Sequence, residues 1–406
     1  MRKISIENTS AAGKTTIKET NEKLILNLIR EHQPISRAQI SDKTGLQRST
    51  VTIITNRLLE QRWIYEGENG TCGLGRRPTN LYLNPNKLHV VGVEVGKKET
   101  VLALADMNGK LLKRDSMQTG TDASKLFREL AKKIRRLADE SKTEMHIEVA
   151  SAGMSLPGYI EKAAGRIIAA ENFGWMNVPA GEYLREHLAI PVYFENNAKL
   201  SAFAEIWFGN KQENNLQNFL YVTTRDGIGT GIIINGEIYN GAHDGAAEFG
   251  HMSLFPYGER CVCGNSGCWE VYASDMATIK RYLQTQNGEK ARKHLSEHLT
   301  IHDLIERAHA GEKNAQNALR VTAKYLGLGL ANLVYGFNAE LVIVDNNLKE
   351  GWDIIGDIVL STVRSRVPSY YTEQLKIIPS SIKEIPTLLG AIALALAHSF
   401  KIAGSY

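Results

Sequence analysis

The chain has 406 residues, 43% of them hydrophobic and 23% charged, a globular composition long enough for two or three domains and too rich in core formers for a disordered chain. Its net charge of +4 is uneven: residues 1–90 hold 14 Lys and Arg against 8 Asp and Glu, or +6, which leaves −2 for the remainder and directs a search for nucleic-acid binding to the N-terminal end. Apolar runs such as 388–397 fall short of the ~20 residues of a membrane helix and the first residues lack the apolar core of a secretory signal, so a cytoplasmic protein with reduced thiols is expected.

Residues 1–16 are polar. Gly13-Lys14-Thr15 looks like the end of a phosphate-binding loop, but Asn8 stands where the first glycine of GxxxxGK[ST] belongs and no buried strand precedes it, so a mobile arm is expected. Leu24, Ile25, Leu28 and Ile29 recur with helical spacing over 17–30, and Pro34 closes that segment. Ser36 and Gln39 form a capping box that opens a short helix containing Ile40, and Gly45 turns the chain into a third helix over 48–61. In it Val51, Ile54 and Leu58 make a buried stripe. Gln47, Arg48, Ser49, Thr50, Thr52 and Asn56 occupy the other face and the N-terminal edge, and these are side chains that reach base edges and phosphates from a helix in a major groove. Two strands at 63–65 and 81–83 are joined by a loop holding Gly73, Gly75, Arg76, Arg77 and Pro78, a wing whose arginines would contact phosphate or enter the minor groove. Residues 1–85 thus read as a winged helix-turn-helix DNA-binding domain. The rival is a small helical docking module whose polar face is only solvated.

After a linker at 84–87, strands are predicted at 90–95 and 101–105 with Asn108-Gly109 as a hairpin turn, followed by a helix over 126–138 and a buried strand at 147–150. Pro157-Gly158, a strand at 192–195 and a helix over 198–208 complete the block. A second block opens at Phe219, with an Asn235-Gly236 hairpin, helices near 315–335 and 352–363, and a strand at 341–344. Strands alternating with helices in two blocks predict two α/β lobes, 88–200 and 201–385, around a cleft.

The second lobe contains EFGHMSLFPYGERCVCGNSGCWE, with His251, Cys261, Cys263 and Cys268 in the spacing HX9CXCX4C. Three thiolates and an imidazole satisfy borderline-soft zinc in a closed tetrahedron, and a metal-pinned loop replaces the core so short a segment lacks. Structural Zn2+ is therefore expected. Cys261 and Cys263 are too close in sequence to pair easily, and the remaining cysteine, Cys72, reads as a small loop side chain. Glu248 and Glu270 frame the knuckle and would face a common space, an arrangement suited to the paired hydroxyls of a sugar.

EFGH followed by GERCVCGNSGCWE resembles the zinc motif of the ROK family, which comprises sugar kinases and sugar-responsive repressors, and the resemblance extends from about residue 17 to about residue 400. It implies a two-lobed, actin-like, sugar-kinase (ribonuclease H-like) α/β fold in which the last helix, 386–400, returns to the first lobe. In the repressor branch a winged helix-turn-helix precedes that fold. A homodimer or homotetramer is the expectation from the family and from the symmetry of operators.

Three stretches bear on catalysis. The turn after the first strand is Glu94-Val95-Gly96-Lys97-Lys98-Glu99, without the second glycine and threonine that resemblance to the kinases would require. FENNAK, 194–199, resembles the kinase stretch in which an Asn-Asp pair binds the sugar and the aspartate takes the hydroxyl proton; position 197 is Asn, which has no carboxylate to act as base. Asp345, Asn346 and Asn347 stand where the family places a glycine pair for adenosine. Gly227-Ile228-Gly229-Thr230-Gly231 does match a phosphate loop of the family, although an ordinary strand-to-strand turn explains it as well. Asn196, Asn197, Glu248, His251 and Glu270 match the family's sugar-site positions in type, apart from the Asp to Asn change.

The expectation is a sugar-responsive DNA-binding regulator, a repressor, with operator DNA and a sugar or sugar phosphate as partners and no catalysis. The alternative is an ATP-dependent sugar kinase with an appended DNA-binding domain.

Overall fold

The computed structural model describes residues 14–69, 79–210, 216–286, 299–345 and 347–400. The first helix, α1 (Lys14–His32), starts three residues before the predicted start, since neither Gly nor Pro lies between Lys14 and Ile17 to stop it; Lys14 and Thr15 are thus helical and not part of an arm. Its buried face is Ile25, Leu26 and Ile29, and Leu24 is turned out to 43% exposure. After β1 (Ile35–Ser36), α2 (Arg37–Thr44) opens on the expected capping box and ends at Gly45, whose φ of +71° lets its N–H return to Ser41 O. The next helix, α3 (Arg48–Glu60), buries Val51, Ile54 and Leu58, and also Thr55. β2 (Ile64–Asn69) and β3 (Thr79–Leu83) pair antiparallel, and β1 adds to β3, giving the order β1-β3-β2. Cys72, Gly73, Gly75, Arg76, Arg77 and Pro78, the expected tip of the wing, lie outside the described residues.

The first lobe has a five-stranded sheet built from β4 (His89–Val95), β5 (Glu99–Ala105), β6 (Leu111–Gln118) and β7 (Val149–Leu156), with a strand near residue 192 at its edge. The turn at Asn108-Gly109 is present, tied by Asp106 Oδ1 to the N–H groups of Asn108 and Lys110. β6 alternates half-buried and exposed positions and carries too few apolar residues to read as a strand alone; pairing with β5 forms it. Helix α4 (Ala123–Glu144) covers one face of the sheet. The strand expected at 147–150 lies later: Glu148 and Ala150 are exposed, and the buried part is 151–156.

A small antiparallel sheet of β8 (Tyr159–Glu161), β9 (Arg166–Ala170) and β10 (Trp175–Val178), then α5 (Ala180–Arg185), leads to the edge strand β11 (Val192–Asn196) and directly into α6 (Asn197–Phe208). The large sheet runs β11-β7-β4-β5-β6, parallel in its first three strands.

The second lobe repeats this plan with β12 (Phe219–Thr223), β13 (Gly229–Ile234) and β14 (Glu237–Ile238), then α7 (Glu270–Ala273), α8 (Asp275–Gln284), α9 (Ile301–His309) and α10 (Lys313–Phe337). It continues through β15 (Leu341–Asp345), α11 (Trp352–Arg364), α12 (Ser369–Thr372) and β16 (Lys376–Pro379), and its sheet runs β14-β13-β12-β15-β16. Asn235 and Gly236 both have positive φ at the tight β13–β14 turn.

The last helix, α13 (Pro386–Ser399), crosses back onto β4 and β7 and packs against α6. Glycine permits this close approach: a Cβ on Gly92, Gly153 or Gly390 would come closer than 3.0 Å to Ile392, Ala391 O or Leu200 O. One continuous apolar core joins α1–α3, the first-lobe sheet, α6, part of the second sheet and α13.

Candidate functional site

The cleft between the lobes encloses about 610 Å³, and each of its walls is set by the end of an element. Strand β11 ends at Asn196, where the chain turns into α6. Asn196 caps that helix: its Oδ1 accepts the N–H groups of Ala198 at 2.8 Å and Lys199 at 3.2 Å, and its Nδ2 donates to Gly158 O at 2.9 Å. Asn197, the next residue, lines the cleft with its Oδ1 held to the Ala198 N–H at 2.8 Å, so its NH2 is the group left to donate. Asn196 therefore serves mainly to hold the wall, whereas Asn197 faces the cavity with a donor.

Glu248, His251 and Glu270 form the opposite wall. Burial raises the Glu248 carboxyl above its ordinary range, with the His251 imidazole pulling it back down. Glu270, only 7% exposed, opens α7 and reaches in two directions, toward the cavity beside Gly227 and to Cys261 Sγ at 2.8 Å through Oε1. His251 Nδ1 lies 3.6 Å from Cys261 Sγ and 3.5 Å from Glu270 Oε1. The ring thus turns Nδ1 to the cysteines, and its Nε2 is left for the cleft.

The ligating atoms of His251, Cys261, Cys263 and Cys268 all lie within 4.8 Å of one another. Cys263 and Cys268 Sγ are 3.7 Å apart. A tetrahedron with metal–sulfur bonds of about 2.3 Å and a metal–nitrogen bond of about 2.05 Å has S···S edges of about 3.8 Å and S···N edges of about 3.6 Å, so the two distances agree with one shared ion. Burial pushes the Cys261 and Cys268 thiols up, and at Cys261 the hydrogen bond to Glu270 adds to the rise. Gly264 and Gly267, both at positive φ, turn the knuckle, and Leu254 N–H bonds to Gly267 O. The donor set fits a metal.

Several groups at the cleft had no clear signal in the sequence. Arg225, in the loop after β12, places Nη1 3.0 Å from Oε1 of Glu94 at the end of β4, an ion pair running from one lobe to the other. Lys199, 1% exposed in the middle of an apolar helix, donates from Nζ to Asp244 O at 2.6 Å, while Tyr159 OH donates to His243 O at 2.8 Å. Together they hold the 240–247 loop over the first lobe. A lysine within AKLSAFA was the available clue to its burial; Arg225 offered none. Gly229 and Gly231 lie in β13 against α6, where a Cβ would press on Ala198 or Ala202, so helix packing accounts for two of the three glycines in that loop. Asp345 is 2% exposed at the end of β15, with Lys349 Nζ at 3.7 Å; Asn346 lies outside the described residues.

On α3, Gln47, Arg48, Ser49, Thr52 and Asn56 are exposed and Thr50 half-buried. No side chain caps the helix, so the N–H groups of its first turn have no capping acceptor. Arg37 holds Asn56 Oδ1 at 3.3 Å and Thr55 Oγ1 at 3.0 Å. Arg76 and Arg77 fall outside the described residues.

These features define a class: a winged helix-turn-helix fused to a two-lobed, sugar-kinase-like fold with a His/Cys3 cluster at its cleft that could hold a metal. A model of the ROK family matches residues 90–398, and a model of a winged helix-turn-helix DNA-binding domain matches residues 18–65. The chain belongs to the ROK family. It is 31% identical over 387 residues to the xylose repressor of Bacillus subtilis, covering 95% of this chain and 97% of that one. The fold is shared with a ROK family transcriptional regulator homologous to the E. coli MLC protein, at a TM-score of 0.78 and 23% identity over 95% of this chain and 97% of the other. A ROK family glucokinase from Streptomyces griseus, solved with glucose and AMPPNP, aligns at a TM-score of 0.66 and 25% identity, covering 75% of this chain and 98% of its own. The difference in coverage corresponds to the N-terminal DNA-binding fold. Among the described residues no helix is long and apolar enough to cross a membrane.

Proposed function

We propose that the protein is a sugar-responsive transcriptional repressor whose kinase-like domain has become an effector sensor. The observation that supports it is that one chain has both a winged helix-turn-helix match and a cleft lined by Asn196, Asn197, Glu248, His251 and Glu270, with an amide at 197 where resemblance to the kinases would require a carboxylate. An amide donates to a hydroxyl but cannot take its proton. The Glu94–Arg225 ion pair, 3.0 Å long, lines the same cleft and joins its two lobes.

In this reading a sugar or sugar phosphate binds between Asn196, Asn197, Glu248, His251 and Glu270. Operator DNA meets Gln47, Arg48, Ser49, Thr50, Thr52 and Asn56 on α3 and the wing residues Arg76 and Arg77. Zinc in the His251, Cys261, Cys263, Cys268 set has a structural role, orienting His251. The functional unit is a homodimer or homotetramer, since two recognition helices must stand about one DNA turn, ~34 Å, apart, and a ligand that changes the relative placement of the lobes changes that spacing.

A thermal-shift screen of the metal-loaded chain against sugars, sugar phosphates and ATP tests this, because any ligand that binds only the folded state raises the melting temperature. A sugar or sugar phosphate is expected to raise it and ATP to leave it unchanged, with no ADP release in a coupled assay. The alternative, an active sugar kinase, is favoured by the glucokinase likeness and by Gly227 beside the cleft; ATP-dependent turnover of any hexose or pentose would establish it and sink the sensor reading.

A further inference from the structure

Ile53 is the large apolar side chain that α3 turns outward, at 62% exposure. The helix has already met its packing requirement with Val51, Ile54 and Leu58, each 4% exposed or less. At 100° per residue Ser49, Thr52, Ile53 and Asn56 share one side, and all four are exposed, so an isoleucine stands in the middle of an otherwise polar face. The surroundings favour a polyanion. Arg48 is on the same helix, as is Arg57, which pairs with Glu22 at 2.8 Å; the helix's one acid, Glu60, is in the last turn, and its first turn has neither an acid nor a side-chain cap. Asn56 adds an independent indication: with Oδ1 engaged by Arg37 Nη2, its amide is oriented to act as a donor on this face, complementary to a base acceptor such as O4 or O6.

We propose that Ile53 is a specificity-determining residue that reads the 5-methyl group of a thymine in the major groove. Thymine is the base that presents a methyl group there, and it places the O4 acceptor next to it. The chemistry matches in both parts, an apolar side chain for the methyl and a donor amide one turn away for an acceptor. This assignment rests on the repressor reading and deepens it by naming a base feature in the operator.

The test selects bound duplexes from a random pool with the full chain, then measures affinity by fluorescence anisotropy with each thymine in turn replaced by deoxyuridine, which lacks only the methyl. The parent protein should bind about fourfold more weakly when one particular thymine per half-site loses its methyl, the effect of leaving about one CH₂ unburied. Ile53→Ala, exposed and so expected to melt with the parent, should bind the two duplexes equally. If no duplex is selected, the repressor reading and this assignment fall together. If duplexes bind but no thymine shows methyl dependence, or Ile53→Ala keeps the same dependence, only the assignment falls, and an Ile53→Ala variant that binds DNA unchanged would point to a protein partner for this face.

Discussion

Cys263 shows how much one side chain can carry. It lies 3.7 Å from Cys268 Sγ in a donor set that needs all four members to close a tetrahedron, and the knuckle around it packs mainly on its own turns and on Tyr272. If the set holds a metal, Cys263→Ser is expected to release it, measurable with a chromogenic chelator, and to cost on the order of 3 kcal/mol, a fall of roughly 3–5 °C in melting temperature. Because His251 takes its orientation from the same cluster, the variant should also lose the sugar-induced shift. A variant that keeps both metal and response would remove the knuckle from the sensing mechanism. Asn196 lines the same cleft while its three side-chain hydrogen bonds, to the α6 backbone and Gly158 O, fix the turn that sets where Asn197 points.

Among the elements, β7 and α13 explain each other. Residues 151–156, SAGMSL, are small and partly polar, and the strand expected at 147–150 extends into them. The strand is interior because it pairs with β11 on one side and β4 on the other, and α13 lies directly on it where Gly153 leaves room for Ala391 O. Gly153→Ala should therefore destabilise by about 3 kcal/mol, at the upper end of overpacking effects, since the atom in the way is backbone and cannot rotate aside. Urea denaturation reads this directly. A loss below about 0.5 kcal/mol would mean that the helix is free to shift. In the same way Gly229 and Gly231 are short of side chains because α6 approaches, which removes most of the case for a phosphate loop in that segment.

For the whole molecule, α6 links the cleft to the DNA-binding fold. Its N-terminus is capped by Asn196 at the cavity, and near its C-terminus Trp207 stacks under Arg30 of α1 at 4.3 Å and lies 6.0 Å from Phe400, which in turn faces Trp63 at 5.7 Å. A ligand that shifts α6 by its cap would move the platform under α1. Trp207→Ala is expected to leave the sugar-induced thermal shift intact while reducing the effect of sugar on operator affinity by a factor of about 5 or more, the scale of a typical coupling energy. Full retention of that effect would place the coupling elsewhere. Glu205, on the same helix, is buried against Ser380 of the second lobe, and burial raises its carboxyl to about 7, with Asp345 adding to the rise and Lys349 and the Ser380 hydrogen bond opposing it. The folded state thus holds this proton more tightly than the unfolded state, whose carboxyl titrates near 4.5. The contribution is complete below about 4.5 and is lost as pH rises through about 7, to the extent of roughly 3 kcal/mol. Glu205→Gln should flatten that fall in denaturation curves recorded between pH 5 and 8; an unchanged slope would assign it to other groups.

The sequence alone determined what depends on neighbours along the chain. Capping at Ser36 and Gln39, the left-handed turn at Gly45, the Asn-Gly hairpins, the helical stripe of Val51, Ile54 and Leu58, and the spacing of His251 with three cysteines all follow from local geometry and side-chain chemistry, and each is found. Tertiary structure decided what depends on distant partners. It made a strand of β6 by pairing with β5 and an interior strand of 151–156 by pairing with β11 and β4. It buried Lys199 under the 240–247 loop and joined Glu94 to Arg225 across the cleft, contacts between residues 45 and 131 positions apart. Periodicity and motif spacing carry no information about such pairs, because their geometry exists only once the two lobes have closed around α6 and α13.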